Sequence, residues 1–141
     1  MQFPKHRLAL IVVSISLSLF VNACGENKIV QCNKVIQVAN RFETIASGVT
    51  KDAAGFEKMA AQIDAIGTEM QTIKVADEKL SGFRDRFVVA YKEISLATRE
   101  ISKAIAAKDA KATTKATESL KATVAKESPL TGEINQYCTG G

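Results

Sequence analysis

Apolar residues recur every three or four positions along most of the chain beyond residue 30, which is the spacing of amphipathic α-helices. Two stripes are the clearest: Phe56, Met59, Ile63, Ile66, Met70 and Ile73, then Leu80, Phe83, Phe87, Ala90, Ile94, Ala97, Ile101 and Ala104. An earlier stripe consists of Cys32, Val35, Ile36, Ala39, Phe42, Ala46 and Val49. The pattern therefore predicts three helices, of which the third covers residues 77–107 with Asp77 as its N-cap.

A fourth helix is predicted over residues 109–126, where Ala, Lys and Thr predominate. Alanine favours helix, but the apolar stripe is thin and buries little area: Ala112, Ala116, Leu120 and Val124. Ser128 followed by Pro129 has the pattern of an N-cap and a first helical position. We therefore expect a separate short helix there, with one apolar side formed by Leu130, Ile134 and Tyr137.

The predicted fold class is all-α, because no stretch of the mature chain alternates as a strand does. The links at 48–52, 74–77 and 108–109 are short, and short links join antiparallel neighbours. We expect an up-down-up-down four-helix bundle with a short C-terminal helix, following a cleaved signal peptide.

The first 24 residues have the pattern of an export signal. Lys5 and Arg7 precede a run without charged residues from Leu8 to Val21, and Asn22 and Ala23 lead to Cys24. The run is 14 residues long, and at ~1.5 Å per residue it is too short to span a bilayer core of roughly 30 Å. Residues 21–24 resemble the lipobox of bacterial lipoproteins, which implies lipidation of Cys24. Cleavage by an ordinary signal peptidase, giving a secreted protein, and a retained anchor are the alternatives.

Three cysteines leave one without a partner in an exported protein, and lipidation of Cys24 accounts for it. Cys32 and Cys138 then remain as a possible disulfide pair in an oxidising compartment. Two buried free thiols are the alternative. We expect no metal site, because zinc needs three or four clustered ligands and the one histidine, His6, lies in the signal peptide.

These predictions divide the chain into a signal peptide (1–23), a lipid-anchored tether (24–27) and a single helical domain (28–141). Removal of the signal leaves 17 basic and 15 acidic residues, a net charge of +2. The mature chain is therefore not a nucleic-acid polycation.

We expect no enzymatic activity and no cofactor. The mature sequence has no histidine for general base catalysis, and it has no Walker A, G-x-S-x-G, H-E-x-x-H or haem-attachment motif. Met59 and Met70 lie on a helix stripe, where methionine fills core space far more often than it binds a cofactor.

Six lysines between residues 103 and 126 form the main basic concentration, within which Lys111, Lys115 and Lys121 are the candidate partner-binding face. The alternative is an ordinary solvated helix face of mixed charge. A second candidate site is an apolar space between the helices, lined by Phe56, Phe83, Phe87 and Tyr91, which are also core positions.

Several segments are similar to those of small exported helical lipoproteins of unknown function of the cyanobacterial type. They are Cys24-Gly25, Gln31-Cys32-Asn33-Lys34, Ile73-Lys74-Val75, Asp77-Glu78-Lys79-Leu80 and Tyr137-Cys138-Thr139. The resemblance implies export and a tie between the chain ends, and it implies no activity. We expect a non-enzymatic protein-interaction or accessory module, lipid-anchored to an envelope or lumenal membrane face. The alternative function is a carrier of a small apolar ligand or lipid in the bundle interior.

Overall fold

The computed structural model describes residues 27–140, which form four α-helices. They are α1 (Lys28–Ser47), α2 (Ala53–Thr72), α3 (Glu78–Ala106) and α4 (Ala110–Thr139). No strand occurs within these residues, so the predicted all-α class is confirmed. The predicted signal peptide and Cys24 lie outside the described residues.

A side-chain oxygen caps the N-terminus of every one of these helices. Each capping residue accepts a hydrogen bond from the backbone N–H three positions later, which satisfies one of the donors that a helix start leaves unpaired. The capping residues are Asn27, Asp52, Asp77 and Asp109. The predicted cap at Asp77 is thus confirmed. Between α3 and α4, Lys108 adopts a left-handed conformation with φ 55°, which ends one helix immediately before the next cap.

The predicted break before a short C-terminal helix is wrong, because α4 continues through Pro129 without interruption. Proline lacks the N–H that would bond the carbonyl four residues earlier, so this position carries a local cost. Continuing the helix, however, buries Leu130 and Ile134, which are 0% and 1% exposed. Ser128 is exposed and its hydroxyl caps nothing among the described residues. Burial beyond the proline therefore outweighs the local penalty.

The core lies mainly between α2 and α3 and between α3 and α4, which are the most extensive packing contacts. α1 packs chiefly on α2 and touches α3 and α4 over shorter stretches, whereas no Cα atoms of α2 and α4 lie within 8 Å of each other in the described part. The largest fully buried apolar side chains include Val35, Ile63, Ile66, Met70, Leu80, Ile101, Leu130 and Ile134. No helix within residues 27–140 is both long and apolar enough to cross a membrane.

Small hydroxyl side chains let α2 and α3 approach closely without losing hydrogen bonds. Ser95 donates to the Ala60 carbonyl at 3.2 Å, and Ser102 donates to the Ala53 carbonyl at 2.7 Å. Within the described residues, no buried side-chain nitrogen or oxygen lacks a hydrogen-bond partner. The polar groups in this interface are therefore satisfied, and they fix the register of the two helices.

Candidate functional site

A disulfide between Cys32 and Cys138 joins the first turns of α1 to the last turn of α4. The two Cα atoms lie 5.9 Å apart, within the range that a disulfide requires, and Cys32 is 2% exposed. The disulfide predicted from the number of cysteines is therefore present, and the alternative of two buried free thiols is wrong.

Gln31, next to the disulfide, ties α1 to the link between α2 and α3. Its side chain is 5% exposed, and its Oε1 accepts hydrogen bonds from the backbone N–H groups of Ala76 at 2.6 Å and Asp77 at 3.3 Å. The hydrophobic pattern of the sequence did not indicate this role for Gln31. The available signal was a glutamine directly before a cysteine that begins an apolar stripe.

Tyr137 completes this end of the molecule. Its hydroxyl donates to Asp77 Oδ2 at 2.7 Å, and the ammonium groups of Lys28 and Lys79 lie 3.9 and 4.8 Å from its ring centroid. Hydrogen bonds from the Leu80 N–H and from Tyr137 lower the pKa of Asp77, and the same bond raises the pKa of Tyr137. The cluster couples the start of α3 to the end of α4, which is a structural role.

An open groove with a volume of about 480 Å³ runs between α1 and α4. Its floor is α3, which contributes apolar side chains that are at most 4% exposed: Phe87, Ala90, Tyr91 and Ile94. α1 forms one wall with Ala39, Asn40, Phe42 and Glu43. α4 forms the other wall with Val124, Glu127, Ser128, Thr131, Gly132 and Asn135.

The groove exists because α1 is drawn toward α2 and away from α4. Arg41 forms an ion pair with Glu69 of α2, and the ring of Phe42 stacks near Tyr91 with centroids 6.0 Å apart. The Tyr91 hydroxyl donates to the Ala39 carbonyl at 3.3 Å, which holds α1 above α3. Burial raises the pKa of Tyr91, so this phenol stays neutral at physiological pH. On the facing wall, Gly132 has no side chain to occupy the groove.

The rim of the groove is polar and acidic. Glu43 and Glu127 stand on opposite walls, and the lining formed by residues 27–140 contains no Lys, Arg or His. Within the described residues neither carboxylate has an ion-pair partner within 4.0 Å. Arg86 is the neighbouring cation, but its guanidinium donates to Glu133 at 2.6 Å. Arg86 also attracts Glu127 electrostatically, so the groove combines an apolar floor with two carboxylates of which Glu127 is partly balanced by a nearby cation.

The lysine face predicted on α4 lies on the first half of that helix, whereas the groove uses the second half. Lys111, Lys115 and Lys121 are all exposed. At about 100° per residue, Glu118 falls between Lys111 and Lys121 around the helix, so the surface carries both charges. The three lysines lie within about 120° of one another on the helix, and they form a broad patch with an acidic residue inside it.

The four aromatic residues predicted for an apolar space do not form one site. Phe83, Phe87 and Tyr91 are at most 6% exposed, and Phe56 is half-buried. Two of them, Phe87 and Tyr91, line the groove. The sequence therefore located part of the floor, but it did not identify the two walls or their carboxylates.

No group of three or more His, Cys, Asp or Glu side chains within residues 27–140 is arranged to hold a metal ion. The lipidation site predicted at Cys24 precedes these residues, so the anchor stays a prediction. No protein-family model matches the sequence, and comparisons with curated proteins and with solved structures found no significant match.

Proposed function

We propose that this chain is a membrane-anchored, non-enzymatic interaction or accessory module. A lipid on Cys24 would hold it to an envelope or lumenal membrane face, and the helical domain would bind a protein partner there. The signal pattern of residues 1–24 supports export and anchoring. The absence of histidine from the mature sequence and its lack of nucleophile motifs support a binding role.

We further propose that the four helices form an up-down-up-down bundle. Partners on α2 run to lower residue numbers as those on α3 rise, since Ser95 bonds Ala60 and Ser102 bonds Ala53. The ion pair between Arg86 and Glu133 and the ring contact between Phe83 and Tyr137 follow the same antiparallel trend for α3 and α4. In this topology α1 starts where α4 ends, which agrees with the disulfide between them.

The observation that carries the binding role is the groove between α1 and α4. The groove is open to solvent and has the half-buried apolar side chains of Phe42 and Val124 on its walls, and it lies on a domain whose two end helices are cross-linked, so it is held in shape before binding. A short apolar side-chain anchor from a partner would contact the floor, while polar groups around it would meet the rim.

Site-specific photocrosslinking in native membranes tests this proposal. A photoreactive residue at Thr131, on the groove wall, is expected to crosslink to a defined protein. The control is Leu96, which is 56% exposed and lies outside the groove. Equal labelling from both positions, or no product from Thr131, would contradict a binding role for the groove.

The lysine face gives a separate prediction within this proposal. Changing Lys111, Lys115 and Lys121 to Glu should remove partner capture if acidic groups of the partner dock there. The matched control changes another exposed set to Glu: Lys51, Lys58 and Lys92. Unchanged capture by the first variant, with folding retained, would exclude the lysine face and leave the groove.

A carrier of a small apolar ligand is the second candidate function, and the volume of the groove favours it. About 480 Å³ falls within the range of roughly 300–1,000 Å³ typical of small-molecule sites. Native mass spectrometry of protein released from host membranes should then show a co-purifying ligand of defined mass. Repeated recovery of ligand-free protein would count against a carrier.

A further inference from the structure

The groove between α1 and α4 has a charge pattern that selects among small ligands. Glu43 on one wall and Glu127 on the other carry negative charge, and no lining residue carries positive charge. Asn40, Ser128, Thr131 and Asn135 add hydrogen-bonding groups around the same rim. Below the rim the contacts are apolar, and the floor includes the buried rings of Phe87 and Tyr91.

We propose that this groove binds an amphiphilic organic cation, a small molecule with an alkyl or aryl body and an amine or quaternary ammonium head. The inference rests on the groove being a binding site, as argued above, and adds the class of ligand. The apolar body replaces water chiefly on the half-buried wall side chains of Phe42 and Val124 above the α3 floor, and this burial supplies affinity without fixing an orientation. The ammonium head lies at the rim, where both carboxylates attract it and fix its orientation.

An anionic amphiphile of the same length would meet two carboxylates with no cation in the lining, so its head group would be repelled. A neutral amphiphile would keep the floor contacts but lose the attraction at the rim. Arg86 reduces the preference because it attracts Glu127, but it does not reverse it, because its guanidinium donates to Glu133 at 2.6 Å and Glu43 has no ion-pair partner among the described residues. A metal ion is a poorer fit, since the two carboxylates stand on separate helices above an apolar floor.

Gly132 makes the proposal testable with little disturbance to the fold. A Cβ added there would meet no atom of the described residues within 4 Å, so the backbone accepts a side chain at this position and Gly132→Leu adds one to the groove wall. Gly82 on α3 has equally open surroundings and does not line the groove, which makes Gly82→Leu the matched control. Both changes replace a helical glycine and should increase helix stability alike.

The experiment measures binding of octylammonium, octanol and octanoate to the purified full-length chain by ligand-observed nuclear magnetic resonance. The three probes share an eight-carbon body and differ in head-group charge. We expect octylammonium to bind about tenfold more tightly than octanol, and octanoate to bind most weakly. Glu43→Gln and Glu127→Gln should each weaken octylammonium about three- to fivefold, whereas Glu93→Gln and Glu100→Gln, at exposed positions outside the groove, should not.

Gly132→Leu should lower octylammonium affinity more than tenfold, and Gly82→Leu should leave it unchanged. Equal binding of all three probes, lost in Gly132→Leu, would overturn the cation preference and leave the groove as a binding site. Binding that is unaffected by Gly132→Leu, or no binding of any probe, would overturn the inference entirely. The protein-binding role of the groove is then decided independently by the Thr131 crosslink.

Discussion

Replacing Pro129 by alanine should stabilise the domain, because α4 runs through this residue as one helix. A proline inside a helix costs about 3 kcal/mol through the missing hydrogen bond and the clash with the preceding turn. Alanine also gives the unfolded chain more conformational freedom, which offsets up to ~1 kcal/mol. Pro129 is exposed, so the change opens no cavity. The net gain in unfolding free energy is therefore about 2 kcal/mol.

Guanidinium denaturation followed by far-ultraviolet circular dichroism measures this gain, with the disulfide kept oxidised. Ser128→Ala is the companion variant, since the Ser128 hydroxyl has no hydrogen-bond partner among the described residues and its loss should cost nothing. A helix that instead began at Ser128 would give the opposite pattern. Ser128→Ala would then lose about 1 kcal/mol and Pro129→Ala would gain nothing. That result would refute the continuous helix.

Four further variants test the contacts that hold the helices together. Cys138→Ser opens a loop with a sequence separation of 106 residues, and thermal unfolding should show a loss of about 3 to 5 kcal/mol, whereas an unchanged midpoint would contradict the tie. Asp77→Asn should lower the free energy of unfolding at pH 7. The difference from the wild type should shrink as the pH falls below about 4, because the lowered pKa of Asp77 means that its carboxylate stabilises the fold only while it is ionised. A difference that does not change with pH would exclude the ionised carboxylate as its cause. Gly82→Ala should gain about 0.5 to 1 kcal/mol in chemical denaturation, and Gly67→Ala should gain at least as much because its Cβ would make an ordinary van der Waals contact, 3.4 Å from the Cβ of Tyr91; a loss of stability in Gly67→Ala would show that this helix crossing has no room for a methyl group.

The hydrophobic pattern was sufficient to predict the class of fold, and the number of cysteines indicated its cross-link. The stripes that begin at Phe56 and Leu80 define α2 and α3, because one-sided burial leaves a period of 3.6 residues in the sequence. Asp77 was identifiable as a cap from local chemistry alone. The pairing of Cys32 with Cys138 was predicted by counting cysteines in a chain that carries the pattern of an export signal.

The continuity of α4 and the shape of the groove depend on longer-range interactions. Ser128 and Pro129 have the local signature of a helix start, but burial of Leu130 and Ile134 by tertiary packing overrides it. The groove depends on the separation between α1 and α4, and the hydrophobic periodicity of the sequence does not indicate that distance. From the sequence alone, Glu127 cannot be distinguished from other surface carboxylates, although it forms part of the acidic rim of the groove.

The most direct test of the account is the intact mass of the protein recovered from the membrane fraction of its native host, with thiols alkylated before and after reduction. We predict a lipid adduct on Cys24 and two further thiols, Cys32 and Cys138, that become reactive only after reduction. An unmodified chain without the lipid would contradict the membrane-anchored module. Thiols that react before reduction would contradict the tie between α1 and α4.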